Sequence, residues 1–243
     1  MGIWHNSRSM KTMIAFLLFV QFSIFAAPPI EITSKTFLEK AHAGDYIAAE
    51  SGKMLTLILI RSIDSKTVVL EEISAPLKNG PRANSWAKWI KDKAPGHSSW
   101  SILTMDLESG QILECYSFSR NTHIQISQKE SLLATLLHLP LKTIRPQDRR
   151  RIGPPPLSGE SDVRKFWQPP LVFEGKRIKN PQYNVFETTW PNDGSEIDGR
   201  QVTLYFDVEM RIPLPVWIDV ATSHATGRFH VVDSGKNLIS QRN

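Results

Sequence analysis

Residues 202–208 alternate between apolar and polar side chains, and this period of two constrains the fold more than any other feature of the chain. The apolar positions are Val202, Leu204, Phe206 and Val208, with Thr203, Tyr205 and Asp207 between them. Such alternation is typical of a strand with one buried and one wet face. Residues 216–220 repeat the pattern and residues 228–232 predict another short strand. The last third of the chain therefore predicts antiparallel sheet.

Two hairpins and three short helices are predicted before that region. Residues 54–60 pair with 67–73, and residues 100–105 pair with 111–118, each across a polar turn. The first helix covers residues 34–42 and is stopped by Gly44. The second is capped by Asn84 and buries Trp86 and Trp89. The third begins at Ser127 with a capping box that Glu130 completes. The predicted fold class is α+β: mostly antiparallel sheet with a few short packed helices.

The amino terminus has the order of a secretory signal peptide. Arg8 and Lys11 precede an apolar run over residues 13–25, and small residues follow. The run is shorter than the roughly 20 residues that a membrane span needs. We therefore expect cleavage after Ala26, export to an extracytoplasmic compartment such as the bacterial periplasm, and no transmembrane span in the mature chain. The sequence leaves open an uncleaved anchor, and either Met1 or Met10 as the start.

The charge and cysteine content exclude several classes. Loss of residues 1–26 lowers the formal charge from +5 to +3, a smaller excess than nucleic-acid binding domains carry. Cys115 is the single cysteine, so no internal disulfide is possible. The seven histidines show no metal-ligand spacing. We expect no cofactor, no metal and no nucleic-acid partner.

A proline-rich segment divides the chain. Residues 145–170 combine four arginines near the start with prolines at 154–156 and 169–170, which is typical of a stiff surface connection. It separates an α+β half, residues 27–144, from a β-rich half, residues 171–243. The two halves are either separate domains or one continuous domain.

Two sets of residues suggest catalysis only weakly. His97 with Ser98 and Ser99 has no nucleophile elbow around it, and turn residues explain all three. Cys115 and His123 are a candidate thiolate pair, but Cys115 lies in an apolar strand, where thiols are commonly inert and buried. We therefore assign no catalytic residue, although a hydrolase or transferase acting on peptidoglycan or acyl substrates remains an alternative function.

The hairpin and helix of residues 96–140 resemble the opening of serine penicillin-recognising enzymes. That family places Ser-x-x-Lys on the helix that follows the hairpin. Here Ser127 is followed at that spacing by Glu130. The family's Lys-Thr-Gly element is also absent, since the nearest stretch is Lys142-Thr143-Ile144. The base for the nucleophile is missing, and a helix cap explains both Ser127 and Glu130. We reject this resemblance as a guide to function.

Two groups of side chains are candidate binding residues. Guanidinium groups pair with phosphate and carboxylate, so the cluster at Arg145, Arg149, Arg150 and Arg151 is a candidate anion site, with a solvated connection as the alternative. Aromatic residues of the β-rich half could line an apolar pocket or fill the core. The candidates for ligand binding are Trp190, Tyr205 and Trp217.

The alternating strands of residues 201–232 resemble the lipoprotein-sorting half-barrel carrier superfamily. The resemblance implies a curved antiparallel sheet that shelters acyl chains, with a lipid or a lipoprotein acyl chain as partner. Such binding is non-covalent and needs no nucleophile. The expected function is an exported envelope binding or carrier protein for an apolar or amphipathic ligand. A structural or interaction protein that presents its proline segment to an envelope partner is the other alternative.

Overall fold

A sheet of twelve antiparallel strands organises the residues that the computed structural model describes, which are 32–81, 85–126, 131–195, 197–221 and 226–240. The predicted signal peptide, Asn84 and the predicted capping box of Ser127 and Glu130 lie outside these residues. In sheet order the strands are β1-β8-β11-β12-β13-β14-β2-β3-β4-β5-β6-β7. Within the described residues the sheet is open, with β1 and β7 at its edges.

The strands are short at the two edges and longer in the centre. In chain order they are β1 (Ile32–Thr33), β2 (Tyr46–Ser51), β3 (Met54–Ile63), β4 (Thr67–Pro76), β5 (Ser99–Asp106), β6 (Ile112–Ser117), β7 (Thr122–His123), β8 (Pro140–Thr143), β9 (Val172–Phe173), β10 (Lys176–Arg177), β11 (Tyr183–Thr189), β12 (Gln201–Asp207), β13 (Trp217–Ala221) and β14 (Thr226–Gly235). β9 and β10 pair with each other as a separate ribbon.

Both predicted hairpins are confirmed. β3 pairs with β4 in antiparallel register, and β5 pairs with β6 around a turn in which the Asp106 carboxylate accepts the backbone N–H of Ser109 at 2.6 Å. The centre of β3 is buried on both faces, as its continuous apolar run predicts. The alternating segments at 202–208 and 216–220 form β12 and β13, which pair with each other.

The helices are shorter than predicted. α1 is Ser34–Leu38, α2 is Trp86–Lys91 and α3 is Leu132–Leu137, so they contain 5, 6 and 6 residues. The prediction of an antiparallel sheet with a few short helices is confirmed, but so little helix makes the fold mostly β rather than an even α+β mixture. α3 is capped by Ser131, whose Oγ accepts the N–H of Ala134 at 3.3 Å, and Trp86 and Trp89 of α2 are buried as their spacing predicts.

Strands from both sides of the proline-rich segment interleave in the one sheet. β14, near the carboxy terminus, pairs with β2, and β11 pairs with β8. Segment 145–170 itself holds a 3₁₀ turn at Pro146–Asp148 and an isolated bridge between Arg151 and Phe166. Among the described residues, no helix is long and apolar enough to cross a membrane.

Candidate functional site: a cavity between the sheet and helix α3

The pairing register assigns each strand residue to one of two faces, because directly opposed residues point the same way and successive residues alternate. Val231, Ala49, Thr56 and Ser74 oppose one another in turn across β14, β2, β3 and β4. We call their side of the sheet the inner face and the other side the outer face. Both α1 and α3 lie on the inner face, whereas α2 covers the outer face through the hydrogen bond from Trp86 Nε1 to Asp233 Oδ2.

The sheet coils around α1 and α3. His138, which ends α3 just before β8, donates from Nε2 to the carbonyl oxygen of Glu108 at 2.7 Å. Glu108 belongs to the turn between β5 and β6, and β8 and β5 are eight positions apart in the sheet order. In a flat sheet with about 4.8 Å between strands these elements would be roughly 38 Å apart. The contact therefore requires strong curvature, with the inner face on the concave side.

α1 fills the far part of this concave side. Phe37 stacks on Phe206 of β12 with ring centroids 4.0 Å apart and meets Phe186 of β11 edge-on at 5.6 Å. The rings exclude water from that end of the inner face because all three are buried.

An open volume remains at the other end of the inner face, beside the start of α3. The cavity has a volume of about 320 Å³, near the lower end of the range for ligand pockets, about 300–1,000 Å³. Its described lining combines apolar residues with hydroxyl groups and one carboxylate. The lining residues are Ala49, Ser51, Thr56, Ile58, Glu72, Ser74, Leu103, Ile126, Ser131, Leu133 and Phe229.

Glu72 is the only charged residue among the described residues that line the cavity. It opposes Ile58 on one side and Ser101 on the other, which places its side chain on the inner face. Burial raises the pKa of the Glu72 carboxyl above its ordinary value. Within the described part of the chain, the carboxylate has no ion pair or hydrogen bond. Such a group is poised to receive a donor from a ligand.

The preceding residue, Glu71, has a different environment from Glu72. It points to the outer face, is completely buried, and accepts a hydrogen bond of 2.6 Å from Trp100 Nε1. Its other oxygen lies 3.9 Å from Arg61 Nε. Glu71 is therefore held by groups of the chain itself, whereas Glu72 faces the cavity.

The structure brings two of the three candidate aromatic residues together. Tyr205 and Trp217 oppose each other on β12 and β13, on the outer face, and Trp167 packs edge-on against both at 5.3 and 5.1 Å. Trp190 belongs to a different buried cluster, with the inner-face residues of β11–β13, and its Nε1 donates to Asp193 at 3.0 Å. None of the three lines the cavity beside α3. Their role in ligand binding stays a prediction.

The four candidate arginines each have a partner within the chain. Arg150 lies 4.7 Å above the Trp167 ring and 3.7 Å from Asp219, so it joins the cluster of Tyr205 and Trp217. Arg145 pairs with Asp148, Arg149 donates to the Tyr183 carbonyl, and Arg151 pairs with Asp162. An anion would compete with these partners, and anion binding stays a prediction for all four.

The candidate catalytic residues are engaged in local structure. The imidazole Nδ1 of His97 lies 2.8 Å from the Ala94 carbonyl, and Ser98 donates to the Ser74 carbonyl at 3.1 Å. Cys115 is buried on the inner face. Burial raises the pKa of its thiol, and the nearby charge of Glu72 raises it further. His123 lies on the outer face and faces Glu114 at 3.3 Å.

Sequence reasoning missed Glu72 and the cavity. A signal was present, because Glu71 and Glu72 are consecutive acids inside the apolar strand of residues 67–73. Alternation places one of them on each face, so at least one acid had to lie against packed side chains.

A family model described as CT021 protein matches residues 56–179, just over half of the chain. The matched region contains Glu72 and the start of α3. The 2.0 Å structure of the hypothetical protein CT021 from Chlamydia trachomatis superimposes with a TM-score of 0.60 at 16% sequence identity, covering 88% of this chain and 96% of that one. No curated protein gives a significant match. These matches do not show a link to the lipoprotein-sorting carriers.

Proposed function

The chain belongs to the CT021 protein family, and from that premise we propose that it is a non-catalytic binding or carrier protein for an amphipathic ligand. The observation that supports this most is the cavity between α3 and the concave inner face, whose described lining has apolar walls, hydroxyl groups and one partly buried carboxylate. A site of this composition binds a molecule that has both an apolar chain and a polar head.

The apolar part of the site supplies the affinity. Ile58, Leu103, Leu133 and Phe229 offer apolar surface to a ligand chain. Burial of apolar surface contributes about 25 cal/mol per Å², so about 100 Å² of ligand surface contributes roughly 2.5 kcal/mol. This chemistry needs no nucleophile, and the positions of His97, Ser98 and Cys115 offer none.

We also propose that the protein acts outside the cytoplasm, in a bacterial envelope, as the signal-like residues 1–26 suggest. The open, coiled sheet with helices on its concave side supports a half-barrel description of the fold. A half-barrel of this kind suits a carrier because a chain-like ligand can enter from the open side.

Binding of an uncharged alkyl probe tests this function. Ser74→Phe places a ring inside the cavity, whereas Ser62→Phe makes the same substitution at an exposed position of β3. We expect the wild type and Ser62→Phe to bind a fluorescent alkyl probe saturably. Ser74→Phe should lose this binding while its circular dichroism spectrum stays that of the wild type.

Native mass spectrometry of protein purified from its own host provides the independent measurement. A retained small-molecule mass that Ser74→Phe lacks would support the carrier function. If no variant shows saturable probe binding and no mass is retained, the proposal is wrong.

An interaction protein is the second candidate, because the proline-rich segment exposes apolar side chains. Leu157 is 75% exposed and Val163 is 89% exposed, so both side chains are available to the surface of a partner. Photo-crosslinking from position 163 in the native host tests this reading. A single discrete adduct would favour a partner, and no adduct would count against one.

A further inference from the structure

Within the part of the chain that the structure describes, Glu72 has no ion-pair partner. No Lys, Arg or His is among the described residues that line the cavity. The nearby Arg61 approaches Glu71 on the outer face instead. Burial disfavours the charged form of a carboxyl group unless an opposite charge lies beside it, so a cationic group bound in the cavity would compensate the charge of Glu72.

Hydroxyl groups lie beside this carboxylate. Thr56 and Ser74 oppose each other on β3 and β4, and their oxygens are 3.0 Å apart. Ser131 caps α3 at the edge of the same cavity. Hydroxyl oxygens can accept hydrogen bonds, and an ammonium group has three N–H donors to place. One carboxylate and several hydroxyls therefore match the donors of an ammonium head.

We infer that the ligand of this cavity is a cationic amphiphile, whose ammonium head pairs with Glu72 and whose alkyl chain lies against Leu103, Leu133 and Phe229. This inference rests on the proposed binding function and names the head group of its ligand. An anionic amphiphile such as a fatty acid would place a second carboxylate beside Glu72, and like charges at that distance repel.

Three probes of equal chain length test the head group. The dissociation constants of decylamine, decanol and decanoate are measured for the wild-type protein by isothermal titration calorimetry at pH 7. We expect decylamine to bind about 10- to 100-fold more tightly than decanol, the factor for a hydrogen bond to a charged group. Decanoate should bind more weakly than decanol.

Two isosteric variants locate the effect. Glu72→Gln removes the charge inside the cavity, and Glu108→Gln removes one from an exposed turn. Glu72→Gln should abolish the preference for decylamine and leave decanol binding unchanged, while Glu108→Gln should behave as the wild type.

The outcomes separate this inference from the proposed function. If decanol binds but decylamine binds no more tightly, or if Glu72→Gln weakens both probes equally, the cationic head is wrong and the binding function stands. If no probe binds, the binding function is wrong and this inference is wrong with it.

Discussion

Replacement of Trp217 by alanine tests whether the aromatic cluster of the outer face is core or ligand site. The side chain is 9% exposed and contacts the rings of Trp167 at 5.1 Å and His230 at 5.3 Å. Truncation of a buried tryptophan to alanine costs about 3–5 kcal/mol. For a domain of 150–250 residues each kcal/mol shifts Tm by about 2–4 °C, so we expect a loss of about 6–20 °C.

Trp217→Phe should be much milder. The indole Nε1 is buried without a hydrogen-bond partner among the described residues, and an unsatisfied buried donor costs about 1–3 kcal/mol. Phenylalanine removes that donor and keeps a ring in place, which offsets much of the lost packing. We expect Trp217→Phe to lose less than about 1.5 kcal/mol.

Urea unfolding followed by circular dichroism gives both values. Val163→Ala serves as the control, because position 163 is 89% exposed and such changes stay within about 0.5 kcal/mol. Alkyl-probe affinity should be unchanged in folded Trp217→Phe. The reasoning fails if Trp217→Ala costs less than about 1 kcal/mol, or if Trp217→Phe loses probe binding at full stability.

Two further substitutions test polar groups that the fold removes partly or fully from water. Burial raises the pKa of Glu72 above its ordinary value of 4.5, so the folded state holds that proton more tightly than the unfolded state. The stability that this proton contributes is complete below about pH 4.5 and is lost as the pH rises through the folded-state pKa. Glu72→Gln should therefore unfold at higher urea concentration than the wild type at pH 8, with the difference shrinking towards pH 4; an equal difference at both values would contradict this. Trp86→Phe removes the 2.6 Å hydrogen bond to the buried carboxylate of Asp233, and we expect about 1.5–3 kcal/mol less stability in urea unfolding, whereas no change would show that the bond contributes nothing.

Hairpins and strands were predictable because their signals are local. The turn between β3 and β4 joins strands close in the chain, and alternation along β12 is set by one face being buried. β2 escaped prediction for the opposite reason. In β2, Tyr46, Ile47, Ala48 and Ala49 are all buried, so both faces are covered and the period of two disappears.

The candidate site was only partly within reach of the sequence. It placed Tyr205 and Trp217 on strands of one sheet, and the structure puts them side by side. It could not exclude Trp190 from that group, because Trp190 follows β11 and lies in another buried cluster. The two consecutive acids Glu71 and Glu72 signalled that one of them lies against packed side chains, but the sequence could not tell which of the two faces a cavity, because both carry the same side chain.

The sequence by itself determined the strand periods, the two hairpins and the antiparallel character of the sheet, because each depends on residues close in the chain. Only the tertiary structure decided which face became concave. The hydrogen bond from His138 to Glu108 joins elements eight positions apart in the sheet order. That curvature places α3 over Glu72 and leaves the cavity between them, and it arises from packing between segments far apart in sequence, for which no local pattern exists.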